Sequence, residues 1–396
     1  MRSHLAWAVV AAGGVAALQV GKLPPAVPAL QAELGLSLVA AGFLLSMVQG
    51  AGLLLAVLMG VWADRMGLRR SMLRGLLLLA LASALGALSE AAWMLLACRA
   101  LEGLGLLLVA LPAPALIRRL VPPERLPGML GFWGAYMPSG TALALLLGPL
   151  WLGVWGWRSW WLVLAGTCLL MAAALWRWLP PDPLPAAQDA AAPGVLARLR
   201  RTLGHGGPWL VALCFGLYSG QWLAVVGFLP AIYTAAGMSG AQLGLLTALA
   251  AAVNMLGNMA SGRLLQRGWA PRSTLWLGFA AMALGSTLAF VPWTEPWPWG
   301  RYAGVLVFSG LGGLVPGTLF GLAVRLAPGE QQVAATVGWV QQLSALGQFM
   351  GPPAAASLAA HAGGWQLTPL FTVACCLGGL WLATLAQRRL QAQSGA

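Results

Sequence analysis

Gly60-Val-Trp-Ala-Asp64-Arg65-Met-Gly67-Leu-Arg69-Arg70 sets four charges between two long apolar runs. Charge is rare in this chain: only 8% of its 396 residues are charged and 60% are hydrophobic, and the mean hydropathy is +0.80. A chain this apolar cannot clothe itself in a soluble surface, so it reads as a polytopic membrane protein. A helix needs roughly 20 apolar residues to cross the hydrocarbon layer, and about twelve such runs follow one another along the sequence. The quoted stretch is then a short loop between the second and third runs. A β-barrel is excluded, because its strands alternate apolar and polar residues instead of running apolar for a full span.

The arginines assign sides. Eighteen fall at one set of ends, among them Arg2, Arg65, Arg118, Arg263, Arg325 and Arg388, while Arg158 and Arg301 stand alone at the other. By the positive-inside rule both termini and the Gly60–Arg70 loop are expected to face the cytoplasm. The first run is either a cleavable signal peptide or an uncleaved helix, and the second is expected, because removal would leave an odd helix count. The formal net charge of +13 thus reports topology and contact with anionic lipid, with no nucleic-acid partner implied. Cys98, Cys168, Cys214, Cys375 and Cys376 all lie inside apolar runs, without metal-ligand spacing, and read as packing residues.

Pro180 to Gly207 is the one long connection, rich in proline and ending in the basic run Arg198 to Arg201, with room for a short amphipathic helix near Leu196. It divides the chain into residues 1–179, a linker 180–207, and residues 208–396. The two halves repeat each other in parallel. Arg119-Leu-Val-Pro-Pro-Glu124 recurs as Arg325-Leu-Ala-Pro-Gly-Glu330, Gly103-Leu-Gly105 as Gly310-Leu-Gly312, and Asp64-Arg65 to Arg70-Ser71 as Gln266-Arg267 to Arg272-Ser273.

The opening stretch resembles the loop signature of the major facilitator superfamily, Gly-x-x-x-Asp-Arg-x-Gly-x-Arg-Arg, between the second and third membrane helices. The resemblance implies an all-α membrane protein of twelve transmembrane helices in two pseudo-symmetric six-helix bundles, working by alternating access. It also implies a gating role for Gly60, Asp64, Arg65, Gly67, Arg69 and Arg70: a cytoplasmic latch centred on Asp64 that must release during the cycle. Topology and helix capping alone also account for these residues. Leu95 to Gly105, with Arg99, Glu102, Gly103 and Gly105, is similar to the superfamily's fourth-helix signature, whose arginine is associated with proton or substrate coupling. Leu-Pro24-Pro25 to Ser37 and the Gly338 to Trp365 region resemble the cyanate and nitrate/nitrite transporter-like branch. That branch often has a first-helix arginine, and here Lys22 stands a little further along. Gly338, Gly347 and Gly351-Pro352 look like the antiporter signature of drug-efflux members, but on the eleventh helix instead of the fifth. The fifth has only a partial copy at Gly131, Gly140 and Gly148-Pro149, and both copies read as close helix packing with a proline bend.

Charges inside spans are costly in lipid and usually face a cavity. Lys22 is the only lysine, one turn after Gln19. It is either a lysine snorkelling to the interface or a cavity cation meeting an anionic substrate. Arg99 and Glu102 share a helix face. Glu102 either neutralises Arg99 or serves as the proton-coupling carboxylate, since it is the one carboxylate well inside a span. Trp133, Tyr136, Tyr218, Gln221, Asn254, Asn258, Trp339 and Gln342 complete the candidate substrate-binding set, with interhelical hydrogen bonding and interfacial anchoring as their ordinary alternatives.

The expected function is secondary transport of a small anion or zwitterion, with protons as a candidate coupling ion. The alternative is proton-coupled efflux of a drug or metabolite. A membrane enzyme is disfavoured, because His4, His205 and His361 lie at helix ends or in the linker with no carboxylate or Cys-His cluster beside them. The expectation is completed by a monomer in the inner membrane that needs no cofactor and no metal.

Overall fold

The structure is a computed structural model that describes residues 3–122, 125, 129, 132–182, 200–329 and 332–394; side chains at 3, 55–65, 333–334 and 393–394 are left out of the description. In hydrocarbon no water is available to the backbone, so a spanning segment must close its own hydrogen bonds. The described residues accordingly form helices: α1 (Ser3–Gly21), α2 (Leu23–Leu34), α3 (Leu38–Met66), α4 (Leu68–Ala87), α5 (Ala92–Ala110), α6 (Ala113–Leu120), α7 (Tyr136–Trp178), α8 (Gly206–Ala235), α9 (Gly240–Gln266), α10 (Pro271–Phe290), α11 (Pro298–Gly312), α12 (Leu314–Arg325), α13 (Val333–Ala362) and α14 (Thr368–Ser394). Nine helices among the described residues are long and apolar enough to cross a membrane. One of these, Tyr136–Trp178, is two spans reversed at Gly156, whose φ of 73° and ψ of 173° only glycine adopts without strain. With α3 and α13 added, the twelve spans of the expectation are present.

Several spans are broken helices. α1 passes into α2 at Lys22, where Pro24 and Pro25 have no N–H to return to the carbonyls one turn back. At the other end of this span Glu33 accepts from Trp157 Nε1 at 2.5 Å and from Arg158, while Arg158 Nη2 donates to the Ser89 carbonyl at 3.1 Å. Arg158, one of the two arginines of its side, thereby ties α2 and the end of α4 to α7.

The charged stretch Gly60–Arg70 is not a loop. Helix α3 runs on to Met66 and α4 starts at Leu68, so Gly67 alone turns the chain, with φ 96°. Gly67 has no side chain with which to cap α4. The cap comes from far along the chain: Asp182 accepts from the Arg69 amide at 2.9 Å and from the Arg70 amide at 3.0 Å, one carboxylate oxygen each. Arg69 Nη2 reaches the Trp176 carbonyl at 2.5 Å. The side chains of Gly60, Asp64 and Arg65 lie outside the described residues, as does the expected helix near Leu196.

The internal repeat is visible in how helices touch. A Cβ at Gly140 would meet the Gly14 carbonyl at 2.5 Å, and one at Gly347 would meet the Gly216 carbonyl at 2.0 Å. The first and fifth spans therefore approach as the seventh and eleventh do. Likewise Gly75 lies on the Gly105 carbonyl and Gly278 near the Leu311 carbonyl. The glycine signatures are thus packing surfaces at Gly140, Gly148, Gly347 and Gly351, whereas Gly338 faces open space and Gly131 lies outside the described residues. Two compact units result. One comprises Met1–Gln188 with Gly227–Ala248, the other Asp189–Val226 with Leu249–Ala396. Within the first, Gly244 seats against the Leu146 carbonyl.

Replacing Asp182 by Ala should destabilise the fold by about 1 kcal/mol, the usual worth of a lost helix cap. Gly67→Ala should cost more, because it adds strain at positive φ and puts a Cβ 2.4 Å from Asp182 Oδ2. Thermal unfolding of the purified variants in detergent checks both the size and the order.

Candidate functional site

The first unit holds three ionisable side chains with no solvent exposure at all: Lys22, Arg99 and Glu102. Their positions follow from the helices that carry them. Gln19 and Lys22 are one turn apart at the end of α1, where the proline break leaves backbone carbonyls free. Arg99 and Glu102 are one turn apart on α5. Ser83 comes from α4, and Trp161, Leu164 and Cys168 from the second span of α7.

Glu102 is the centre. Its Oε1 accepts from Lys22 Nζ at 2.5 Å and its Oε2 from Arg99 Nη1 at 2.6 Å. Lys22 Nζ also donates to Gln19 Oε1 at 2.7 Å and Ser83 Oγ at 2.8 Å, and lies 4.7 Å from the centre of the Trp161 ring. All three ammonium protons therefore have acceptors, and the aromatic face adds a favourable quadrupole contact. Lys22 does not snorkel. Arg99 is anchored by backbone: Nη1 donates to the Gln19 carbonyl at 2.6 Å and Nε to the Leu44 carbonyl at 3.3 Å. Its Nη2 is buried and has no partner among the described residues. Two cations share one carboxylate, so the cluster keeps one uncompensated positive charge away from water. An arrangement that leaves a charge and a guanidinium edge unsatisfied in a low-dielectric interior is suited to receiving an anion.

The second unit repeats the scaffold without the charges. In the first unit Gln19 Nε2 donates to Cys168 Sγ at 3.2 Å and to the Leu164 carbonyl at 3.1 Å. In the second Cys376 Sγ donates to Gln221 Oε1 at 3.4 Å. Ser83, on the third span, donates to the Trp161 carbonyl, and its counterpart Ser286 on the ninth accepts from Thr372 Oγ1 at 2.7 Å. The glycine contacts align Lys22, Arg99 and Glu102 with Ala224, Leu306 and Ser309. The charged residues therefore belong to one half only. Gln221 is fully buried with its Nε2 unpartnered among the described residues.

Of the remaining candidates, the structure brings Tyr218, Asn254 and Asn258 of the second unit together, with Trp222 and Ser309 beside them. Tyr218 and Asn254 bond through their hydroxyl and amide at 2.8 Å, Asn254 Nδ2 donates to the Ser309 carbonyl at 2.8 Å, Asn258 Nδ2 donates to Asn254 Oδ1 at 3.2 Å, and Trp222 Nε1 donates to Ser309 Oγ at 3.0 Å. Trp339 stands apart from these, edge-on to Trp209 at 4.7 Å, with its Nε1 unpartnered among the described residues; Gln342 is half-buried on the same helix. Trp133 and Tyr136 stack on one another at 4.2 Å and press against Gly13, which makes them core residues of the first unit. The sequence alone does not point to Ser83, Trp161 or Asp182 as part of the site, and it gives Cys168 only as a packing residue. The recurrence of Ser83 as Ser286 and of Cys168 as Cys376 was the signal for two of them.

The family model of the major facilitator superfamily matches residues 9–352 and again 211–395. The chain belongs to the major facilitator superfamily. Among curated relatives, it is 27% identical over 369 residues to the cyanate transport protein CynX of Escherichia coli K12, covering 91% of each chain. It is 28% identical over 362 residues to the 2-nitroimidazole transporter of the same organism, covering 88% of this chain and 86% of the relative. Among solved structures, a bacterial homologue of the human lysosomal transporter Spinster superimposes with a TM-score of 0.76 over 99% of this chain and 98% of its own, at 16% identity, which shows the shared fold. This superfamily member is a secondary transporter of small solutes.

Removing Glu102 leaves two buried cations facing each other, whereas removing Lys22 leaves a one-to-one pair. Glu102→Ala should therefore cost roughly 3–5 kcal/mol, and Lys22→Met clearly less. Melting temperatures of the two purified variants should fall in that order, and the reverse order would contradict the charge assignment.

Proposed function

We propose that this transporter carries a small monovalent anion, and that Arg99 and Lys22 are the groups that bind it. The observation that carries this reading is the buried excess of positive charge around Glu102, with Arg99 Nη2 unpartnered among the described residues. A planar guanidinium edge held by backbone carbonyls suits a small anion, because its donors are fixed in direction before the ligand arrives. The name of one relative, a cyanate transporter, fits the same chemistry.

In the proposed cycle residues 1–179 and 208–396 rock as two six-helix halves about the 180–207 linker, in an inner membrane with both termini cytoplasmic, and the protein acts as a monomer. The latch assigned to Asp64 and its arginines belongs to this cycle. Glu102 gives the cycle its proton. An anion that takes Lys22 and Arg99 displaces the carboxylate from both, and a carboxylate stripped of its cations in a dry interior binds a proton. Anion and proton then occupy the cluster together and move together. Gln221, Tyr218, Asn254, Asn258, Trp339 and Gln342 supply uncharged contacts in this scheme. Efflux of a small heteroaromatic is the second reading, favoured by the name of the 2-nitroimidazole relative; it makes the uncharged contacts dominant.

Reconstituted vesicles separate these readings. Uptake and counterflow of labelled cyanate, formate, nitrite and 2-nitroimidazole are measured with and without a proton gradient. Arg99→Gln should lower anion flux at least tenfold. Glu102→Gln should abolish stimulation by the gradient while sparing anion exchange at equal pH. Unchanged anion flux in Arg99→Gln, or transport of neutral solutes alone, would overturn the anion assignment.

A further inference from the structure

A cavity of about 570 Å³ opens in the first unit where the start of α1 meets the end of α7, at the opposite end of α1 from Lys22. Its walls differ sharply in chemistry. Trp7, Ala8 and Ala11 form an apolar slot, and His4, Arg177 and Trp178 form a polar rim at the helix ends. Small side chains on α1 leave the slot open, and the exposed Trp7 and Trp178 rings flank it. Arg177 is exposed and forms no ion pair among the described residues. Arg69, from the start of α4, bonds through Nη2 to the carbonyl of Trp176, the residue before Arg177. Asp182 accepts from the Arg69 and Arg70 amides and forms no ion pair with Arg177 among the described residues.

We propose that this cavity is a binding site for one anionic phospholipid of the leaflet that faces the basic helix ends. The lipid phosphate sits against Arg177, with His4 as a second donor, and the upper part of an acyl chain fills the slot along Trp7, Ala8 and Ala11. Three features select this occupant. The slot is apolar along Trp7, Ala8 and Ala11, which a soluble anion does not need. Its rim is cationic, which a zwitterionic lipid satisfies less well than phosphatidylglycerol or cardiolipin. Its aromatic flanks are tryptophans, whose rings settle at headgroup level. A lipid in this place bridges the first and sixth spans and braces the helices that carry Lys22 and Trp161, so it is a structural ligand of the unit that holds the ion cluster.

Native mass spectrometry of the full-length protein, released from membranes into mild detergent, tests the site directly. Wild type should retain one phosphatidylglycerol or cardiolipin in preference to phosphatidylcholine, Arg177→Glu should reduce that retention at least tenfold, and Arg177→Lys should keep most of it. Arg272→Glu, a basic residue stacked on Trp276 elsewhere, should leave retention unchanged. Ala8→Leu, which fills the slot without touching the charge, should also expel the lipid, and it serves where Arg177→Glu does not fold. Inorganic phosphate in millimolar excess should not compete; displacement by phosphate alone would mean a soluble anion site and overturn the proposal. Equal retention of anionic and zwitterionic lipid, or retention unaffected in both Arg177→Glu and Ala8→Leu, would overturn it as well.

Discussion

One carboxylate organises the first half of this transporter. Glu102 receives a proton donor on each oxygen, Lys22 from α1 and Arg99 from its own helix. Burying an ion costs several kcal/mol even after the protein relaxes, and attraction recovers that cost only where hydrogen bonding is complete. Glu102 and Lys22 meet this condition, and Arg99 meets it except at Nη2. The surrounding elements satisfy the rest: the Gln19 carbonyl at the end of α1 accepts from Arg99, Gln19 turns its side-chain oxygen toward Lys22, and Ser83 accepts from Lys22 while donating to the Trp161 carbonyl. First, second, third, fourth and sixth spans are therefore held to a single ionic centre, and a change in its charge is felt by all five.

The second half shows what the same scaffold does without ions. The glutamine–cysteine bond and the paired serines persist, but alanine, leucine and serine stand where lysine, arginine and glutamate would be. A duplicated fold has no need to keep the charge in both copies: one copy can hold an ion while its twin offers only hydrogen bonds. The same asymmetry appears at the helix ends, where Asp64 in the first half is matched by Gln266 in the second.

Much of this was legible in the sequence because it depends on local pattern. The spans follow from apolar runs of fixed length, and the repeat from recurring Arg-Leu-x-Pro and Gly-Leu-Gly strings. Arg99 and Glu102 were readable as partners because they share a helix face. What was not legible depends on contacts between distant segments. Nothing near Lys22 in the chain says that Glu102, eighty residues on, lies within hydrogen-bond reach. Nothing near Gly67 points to Asp182 as the cap of α4, since a capping box is recognisable only when cap and helix adjoin. The charged stretch looked like a loop because four charges and two glycines favour one. A single glycine at positive φ was enough to turn the chain, and the charges sit on helix ends.

The use of lysine at one position and arginine at the next follows from how each is held. Every other basic residue of the chain is arginine, so Lys22 is an exception that needs a reason. Arg99 is clamped by two carbonyls and a carboxylate oxygen, and its planar fork cannot turn without losing all three. Lys22 makes contacts of a different kind. Its ammonium is a point charge on a flexible stem, bonded to three side-chain oxygens and to no backbone group, and it can rotate among acceptors at little cost. In an anion carrier the two cations would then divide the work. Arg99 marks a fixed place for the ligand, and Lys22 leaves Glu102 to follow it, so that the carboxylate is bare only while the anion is bound. A second arginine at position 22 would hold Glu102 through a fork as rigid as the first, and the exchange of partners on which the proposed coupling depends would become slow.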